Sequence, residues 1–497
     1  MGSVAVTRAV DFNDVQGLVR YGHGRLSDAC YLLLRMKDPG AARERLRELP
    51  VATALEVANP PPTAIQIAFT APGMYALGVS SDAVAGFSAE FVSGMAGSDN
   101  RSRRLGDVGS NAPANWTWGT GNREPHVLVA LFALPGQLDT LRASVQTAAF
   151  NDAFDEIACL DTSDLHGVEQ FGFSDGISQP AIDWNRIREL RGDKPQYGNT
   201  IALGEVLLGY PNEYGRYTER PLLDDDESTH DLEIAEDDEH KRDLGLNGSY
   251  LVLRDLRQDV RTFWQFLYGE SERLGVSADE LGAMFVGRRQ NGDPLVPCAE
   301  TTQNSFTYVD DPHGVRCPFA AHIRRANPRN ADFPSVPIGP FEVAAQMLGF
   351  RRAQFHDDLT SSTRFHRIIR RGREYGPALT PEQKKVAAPP GDPPRGLRFV
   401  GLNANIERQF EFLQNAWIMN DKFNGLSSQS DPLLGNREVA TDGRQTDSFV
   451  LLREGGTRVR ISSLPQFVSV TGGAYFFLPG LRALRYLTSA AHGAASG

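Results

Sequence analysis

Two strand-and-helix units occur in the first half of this chain and recur in the second, and that repetition restricts the fold more than any other feature. Residues 30–35, Cys30-Tyr31-Leu32-Leu33-Leu34-Arg35, form a short apolar run. A breaker, Asp38-Pro39-Gly40, and a helical pattern over 41–49 follow it. Residues 249–254, Ser249-Tyr250-Leu251-Val252-Leu253-Arg254, lead in the same way into an amphipathic stretch at 260–267. A second pair keeps the order: 126–132 runs into a helix at 137–148, and 396–402 runs into 406–416. Short apolar runs bounded by breakers read as strands, and the 3.6-residue pattern reads as helix. Two such units in each half predict a duplicated module of the α+β class. The two halves divide at 1–240 and 241–497.

The division falls beside an acidic segment that starts at Asp224-Asp225-Asp226-Glu227 and ends at Glu236-Asp237-Asp238-Glu239. Blocks of like charge repel one another and stay solvated, so an exposed connection is expected. A calcium site is the other reading, although the spacing is not that of an EF-hand loop. The stretch Ala387-Ala388-Pro389-Pro390-Gly391-Asp392-Pro393-Pro394 reads as a surface loop before a strand.

The formal net charge of the 497 residues is −11. A negative field of that size repels phosphate backbones and argues against a nucleic-acid partner. No run of eighteen apolar residues exists, so no membrane insertion is expected. Met1 to Asp11 lack a charged region followed by an apolar core, which points to a cytoplasmic protein rather than a secreted one. Cys30, Cys159, Cys298 and Cys317 are scattered, with no C-x-x-C pair, against a zinc site, a disulfide framework or covalent haem attachment. The sequons at Asn115 and Asn247 are then chance matches, and nothing in 490–497 reads as a docking peptide. Oligomerisation stays open.

Three segments carry chemistry. The first is Gly172-Phe173-Ser174-Asp175-Gly176-Ile177-Ser178-Gln179-Pro180. As G-x-S-x-G it matches the nucleophile elbow of a serine hydrolase, with Ser174 as the nucleophile. The elbow needs a buried strand before it and a helix after it. Residues 164–171 are too polar for a central strand, and Pro180 would break the helix. An ordinary Asp-Gly turn also fits.

The second is Cys317-Pro318-Phe319-Ala320-Ala321-His322-Ile323-Arg324-Arg325-Ala326-Asn327-Pro328-Arg329. A neutral imidazole against an apolar wall suits axial ligation of haem iron, and guanidinium groups suit its anionic propionates. A satisfied histidine beside a solvated basic face is the competing reading. The third is Arg364-Phe365-His366-Arg367-Ile368-Ile369-Arg370-Arg371-Gly372-Arg373-Glu374-Tyr375-Gly376-Pro377. Ile368 and Ile369 within a basic run turn some arginines inward, where they need an anion.

Taken together and in this order, the three segments resemble the dye-decolorizing (DyP-type) haem peroxidases. Asp14-Val15-Gln16-Gly17, Leu208-Gly209-Tyr210-Pro211 and Gly287-Arg288-Arg289 extend the resemblance over most of the chain. It implies two ferredoxin-like halves with antiparallel sheets. One non-covalent haem b per chain would lie mainly in the second half. His322 is then the iron ligand, Asp175 the distal acid/base and Arg370 the distal arginine. Gly176, Ile177 and Ser178 line the haem edge, and Asn327, Pro328 and Arg329 approach it from the proximal side. Glu407 occupies the matching position for the carboxylate that accepts a hydrogen bond from the ligating histidine, although it also reads as a helix-surface glutamate.

The implied partners are hydrogen peroxide and organic electron donors such as dyes and phenols. A haem-binding or iron-releasing protein with little turnover is the alternative. Arg373-Glu374 replaces the family's usual apolar residue and proline. That departure suggests an exposed segment in which Tyr375 is either a surface electron-transfer site or an aromatic packing residue.

Overall fold

The apolar run at 30–35 becomes a strand with both faces covered. The structure, a computed structural model, describes residues 8–190, 197–298, 303–330, 362–440, 442–453 and 455–489. Strand β1 (Asp28–Met36) is buried from Ala29 to Leu34. Its even-numbered residues Cys30, Leu32 and Leu34 join one apolar cluster, and Tyr31 and Leu33 join another on the opposite face. That two-residue alternation is what a central strand between two packed layers requires.

The first half continues with helix α1 (Pro39–Glu48), strands β2 (Thr63–Phe69) and β3 (Val127–Ala133), helices α2 (Leu138–Val145) and α3 (Ala148–Ala153), and strand β4 (Phe154–Asp161). The strands lie antiparallel in the order β4-β1-β3-β2. The second half begins with β5 (Ser249–Gln258), α4 (Val260–Leu274) and α5 (Ala278–Val286). The edge strands β6 (Ile369–Arg370) and β7 (Arg373–Tyr375), then β8 (Gly396–Asn403) and β9 (Val468–Leu478), complete it. Its order is β9-β5-β8, with β6 and β7 both on β8. Each half therefore has the strand order 4-1-3-2 of a ferredoxin-like unit. The two join into one nine-stranded sheet where Phe69 of β2 pairs with Phe477 of β9. The fold is α+β.

Local signals set the helix ends. The Asp38 carboxylate accepts from the backbone of Gly40 and Ala41 at the start of α1. Ser277 and Glu280 form a reciprocal capping box on α5. Where 406–416 predicts an ordinary helix, the chain runs with wider turns over Glu407–Glu411 and Leu413–Met419. Glu411 N–H there reaches back five residues to the Ile406 carbonyl.

The acidic segment is largely exposed, as expected, and it also carries regular structure. It folds into a small antiparallel sheet of Leu222–Asp224, Ile234–Ala235 and Asp238–Asp243. Basic partners neutralise it: Lys241 meets Asp224 at 2.6 Å, Arg242 meets Asp225 at 2.7 Å, and Arg186 holds Glu236 at 3.0 Å. Interleaved cations, rather than solvent alone, absorb the charge. The sequon at Asn247 lies buried, its amide donating to Asp14. Among the described residues, no helix is long and apolar enough to cross a membrane. The tail 490–497 lies outside the described residues.

Gly472 of β9 lets the Trp118 indole lie against the sheet. A Cβ there would sit 2.3 Å from the indole Nε1 and 2.4 Å from Cε2. Gly472→Ala is expected to destabilise the protein by about 1–3 kcal/mol, as overpacking of a rigid site does. A chemical-denaturation midpoint equal to that of the parent would contradict this.

Candidate active site

Side chains from both halves enclose one cavity against the sheet. Leu256 of β5 and Leu397 and Phe399 of β8 form its floor. Phe171 and Phe173 wall it from the first half, and Val286, Ile418, Leu433 and Val468 from the second. It holds about 1590 Å³ of atom-free space, its mouth included. The ionisable side chains that line this largely apolar chamber are Glu169, Asp175, Arg288, His322, Arg329, His366, Arg367 and Arg370.

Asp175 sits on a loop with no strand before it and no helix after it. Val168 bridges to Ser174, and the Asp175 N–H donates to the Gly167 carbonyl at 2.9 Å. The Glu169 carboxylate ties the loop from inside, accepting from Phe171 N–H and Phe173 N–H at 2.9 Å each. Gln258 of β5 holds the same carboxylate at 2.8 Å. Ser174 Oγ donates to the Gln290 carbonyl at 2.9 Å and meets no histidine among the described residues. That contact anchors a loop and does not activate a nucleophile, which disposes of the hydrolase reading.

Arg370 ends β6, and its Nη1 meets Asp175 Oδ1 at 2.9 Å. A two-way amide clamp fixes the pair. Gln179 Oε1 accepts from Arg370 N–H, and Gln179 Nε2 donates to the Arg370 carbonyl, both at 3.0 Å. Burial works to raise the Asp175 pKa, but the Arg370 guanidinium outweighs it and holds the carboxyl below its ordinary value. Asp175 is therefore ionised at neutral pH.

His322 opens the short helix α6 (His322–Ala326), and its side chain leaves 25% of its surface open where it lines the cavity. Its Nδ1 lies 2.9 Å from Asp431 Oδ2. A carboxylate only accepts, so Nδ1 carries the proton and Nε2 is the nitrogen left for a ligand. Asp431 is fully buried, and its other oxygen accepts from Leu433 N–H at 2.9 Å and Leu434 N–H at 2.8 Å. Burial disfavours the imidazolium, yet the charge of Asp431 and its hydrogen bond together prevail, and the His322 pKa lies above its usual value.

Among the described residues, four arginines and two carboxylates line the chamber, an excess of positive charge. Arg288 Nη2 and Arg329 Nη2 both reach Ser178 Oγ, at 2.9 and 3.3 Å. Burial and the neighbouring Arg329 depress the Arg288 pKa, a strain that a bound anion would relieve. A free imidazole nitrogen, an apolar chamber and clustered guanidiniums fit haem with its two propionates.

Of the residues singled out from the sequence, Asp175, Ile177, Ser178, His322, Asn327, Arg329 and Arg370 line this cavity. Gly176 and Pro328 do not. Gly176 is exposed and donates its N–H to Asp175 Oδ1, and Pro328 is buried. Glu407 is exposed on its helical turn, and Asp431 is the carboxylate that partners His322. Glu407 is on the chain near the right helix but faces outward, whereas Asp431 is brought in by a loop that carries no sequence signal. The exposure expected of Tyr375 also fails: it is 7% exposed. Tyr375 pairs with Gly396 and Glu374 with Leu397, so alternation puts Glu374 on the cavity face and Tyr375 on the other. There the Arg398 guanidinium covers the ring at 3.6 Å. Glu169, Gln179, Arg288 and Arg367 join the site without having been assigned roles from the sequence.

Burial, with Asp175 and Glu169 nearby, pushes the Glu374 pKa up to about 7. A carboxyl whose pKa is raised by folding contributes stability below its unfolded value and loses it as pH rises through the folded one. Melting temperatures of the parent and Glu374→Gln should therefore coincide below about pH 4.5. They should separate between about pH 4.5 and 7, with the Gln variant the more stable, and keep that offset at higher pH. Parallel curves across that range would refute the assignment.

No family model matches the chain. The dye-decolorizing peroxidase msp1 of Mycetinis scorodonius is 29% identical over 98% of this chain and 89% of its own length. The multifunctional dye peroxidase DyP2 of an Amycolatopsis species is 27% identical over 90% and 86%. Among solved structures, an ancestral D-type dye-decolorizing peroxidase superposes with a TM-score of 0.72 at 24% identity, covering 97% of this chain and all of that one. A dye-decolorizing peroxidase complexed with 2,6-dimethoxyphenol gives 0.71 at 22%, with the same coverage. The likeness runs the full length, and the three chemical segments converge on one chamber: in sequence and in fold the chain is similar to the dye-decolorizing (DyP-type) peroxidases.

Proposed function

We infer that this protein is a peroxidase that reduces hydrogen peroxide and oxidises dyes, phenols or similar donors, with one non-covalent haem b per chain. The observation that carries the reading is the convergence on one cavity of the His322–Asp431 couple and the Asp175–Arg370 pair. His322 Nε2 would hold the iron, and Arg288 and Arg329 the propionates. Bound haem supplies the redox chemistry, accepting oxidising equivalents from peroxide and passing them on one electron at a time.

The side chains supply the rest. Asp175, ionised and inside the chamber, takes the proton from a peroxide oxygen and returns it to the oxygen that leaves as water. Arg370 offers a fixed cation to the charge that develops on that oxygen, already oriented by the Gln179 clamp. Asp431 fixes the His322 tautomer and raises the basicity of its free nitrogen. The apolar floor limits water around these charges and strengthens each interaction. Four unpaired cysteines suit a reducing compartment such as the cytoplasm.

Asp175→Asn should retain the cofactor but slow the reaction with peroxide by about 10²–10⁴-fold in stopped-flow absorbance. Because the Asp175 pKa is depressed, the parent's rate should hold down to its ordinary range near pH 4 and fall only below it. An unchanged rate in the variant would remove Asp175 from the chemistry. Asp431→Asn keeps a hydrogen-bonding group but loses the charge, and should cost about 10–100-fold in haem affinity or activity. His322→Ala should abolish tight haem binding. A variant that still shows a full Soret band would make His322 a core histidine only.

A further inference from the structure

The structure joins two cysteines that the sequence keeps 129 positions apart. Strands β1 and β4 pair so that Cys30 lies opposite Asp161 and Leu32 opposite Cys159. Residues 159 and 161 share a face by alternation, and directly opposed residues share a face across a ladder. Cys30, Cys159 and Asp161 thus converge on one face at the outermost strand of the sheet. Their ligand atoms all lie within 4.8 Å of one another, and Cys159 Sγ is 3.4 Å from Asp161 Oδ1.

We propose that Cys30, Cys159 and Asp161 form a binding site for a thiophilic divalent cation, zinc above all, independent of the haem cavity. A tetrahedral zinc with bonds of about 2.3 Å to sulfur and about 2.1 Å to oxygen places sulfur and oxygen ligands roughly 3.5 Å apart. The Cys159–Asp161 spacing is already that of a ligand shell. Two sulfurs select zinc or cadmium over magnesium or calcium. Cys30 is buried, Cys159 half-buried and Asp161 exposed, so the donors run from the core to the solvent. An ion can enter from the Asp161 side and keep a water in its fourth position.

The nearby cation is already occupied. Arg142 of α2 lies close enough to feel Cys159, Cys30 and Asp161, and its guanidinium is held by Gln146 Oε1 at 2.6 Å and Glu156 at 3.3 Å. A disulfide suits the backbone less well. The cysteines are diagonal rather than opposed, and diagonal Cα atoms in an antiparallel pair lie about 7–8 Å apart, at or beyond the limit of about 7 Å for a disulfide. The ion would instead clip the edge strand β4 to β1.

Cadmium titrated into the reduced, haem-loaded full chain tests this through the near-ultraviolet thiolate-to-cadmium absorption, with zinc competition as a second readout. The expected result is saturation at one equivalent, reversal by zinc, and loss of the band in Cys159→Ser. Asp161→Asn, on the exposed side, should weaken binding by at least about tenfold. Cys298→Ser, an exposed cysteine elsewhere, should leave the band intact. A parent protein with no band, a band that survives Cys159→Ser, or one that disappears with Cys298→Ser would overturn the proposal. So would a Cys30–Cys159 disulfide found by intact mass in protein purified in air. Soret absorbance recorded on the same samples reports the haem site separately.

Discussion

The ion pair between Asp175 and Arg370 is the contact on which the rest of the site depends, because it ties a loop of the first half to an edge strand of the second. Neither partner is stable alone in such a chamber. A lone aspartate would be pushed to its neutral form by burial, and a lone arginine would add to a crowd of like charges around Arg288, Arg329 and Arg367. Together they keep one ionised base and one directed cation among apolar walls. The Gln179 clamp then fixes the pair to the backbone, so its geometry does not rely on two flexible side chains.

Loop and strand are held by separate means. The Glu169 carboxylate satisfies two backbone donors of the loop and is tied to β5 through Gln258. Gln170 donates to the Tyr375 and Gly376 carbonyls, and the Trp264 indole donates to the Phe171 carbonyl. Arg370 in turn inherits its position from β8, where Arg370 pairs with Gly401. The sheet thus orients the cation, and the buried polar network orients the acid. The His322–Asp431 couple repeats the principle on the other segment: two backbone donors fix the carboxylate, and the carboxylate fixes the ring.

How much of the fold and site is legible in the sequence follows from periodicity and from reach. The strands at 30–35, 126–132, 249–254 and 396–402 were legible because buried strands need unbroken apolar runs. The three chemical segments were legible because each is contiguous. Asp431 was not, since its partnership with His322 spans 109 positions and no pattern around Ser430-Asp431-Pro432 points to it. Tyr375 is buried, the packing residue of the two readings, although its neighbours are charged. Arg373 bonds the Ser27 and His23 carbonyls, so its charge turns inward to backbone acceptors and covers the segment. The small sheet within the acidic block has no local sequence signal, because Lys241, Arg242 and Arg186 answer its charges from neighbouring strands and loops.

What the sequence determined by itself is therefore local: apolar alternation, caps, and three stretches rich in the residue types of a haem peroxidase site. Tertiary structure alone decided which carboxylate meets His322, which face of β7 looks into the chamber, and that Cys30 and Cys159 are neighbours. The physical reason is common to all three. Side-chain direction in a strand flips with every residue, and contacts across a sheet depend on register, so partners far apart in the chain are chosen by pairing rather than by any pattern near them.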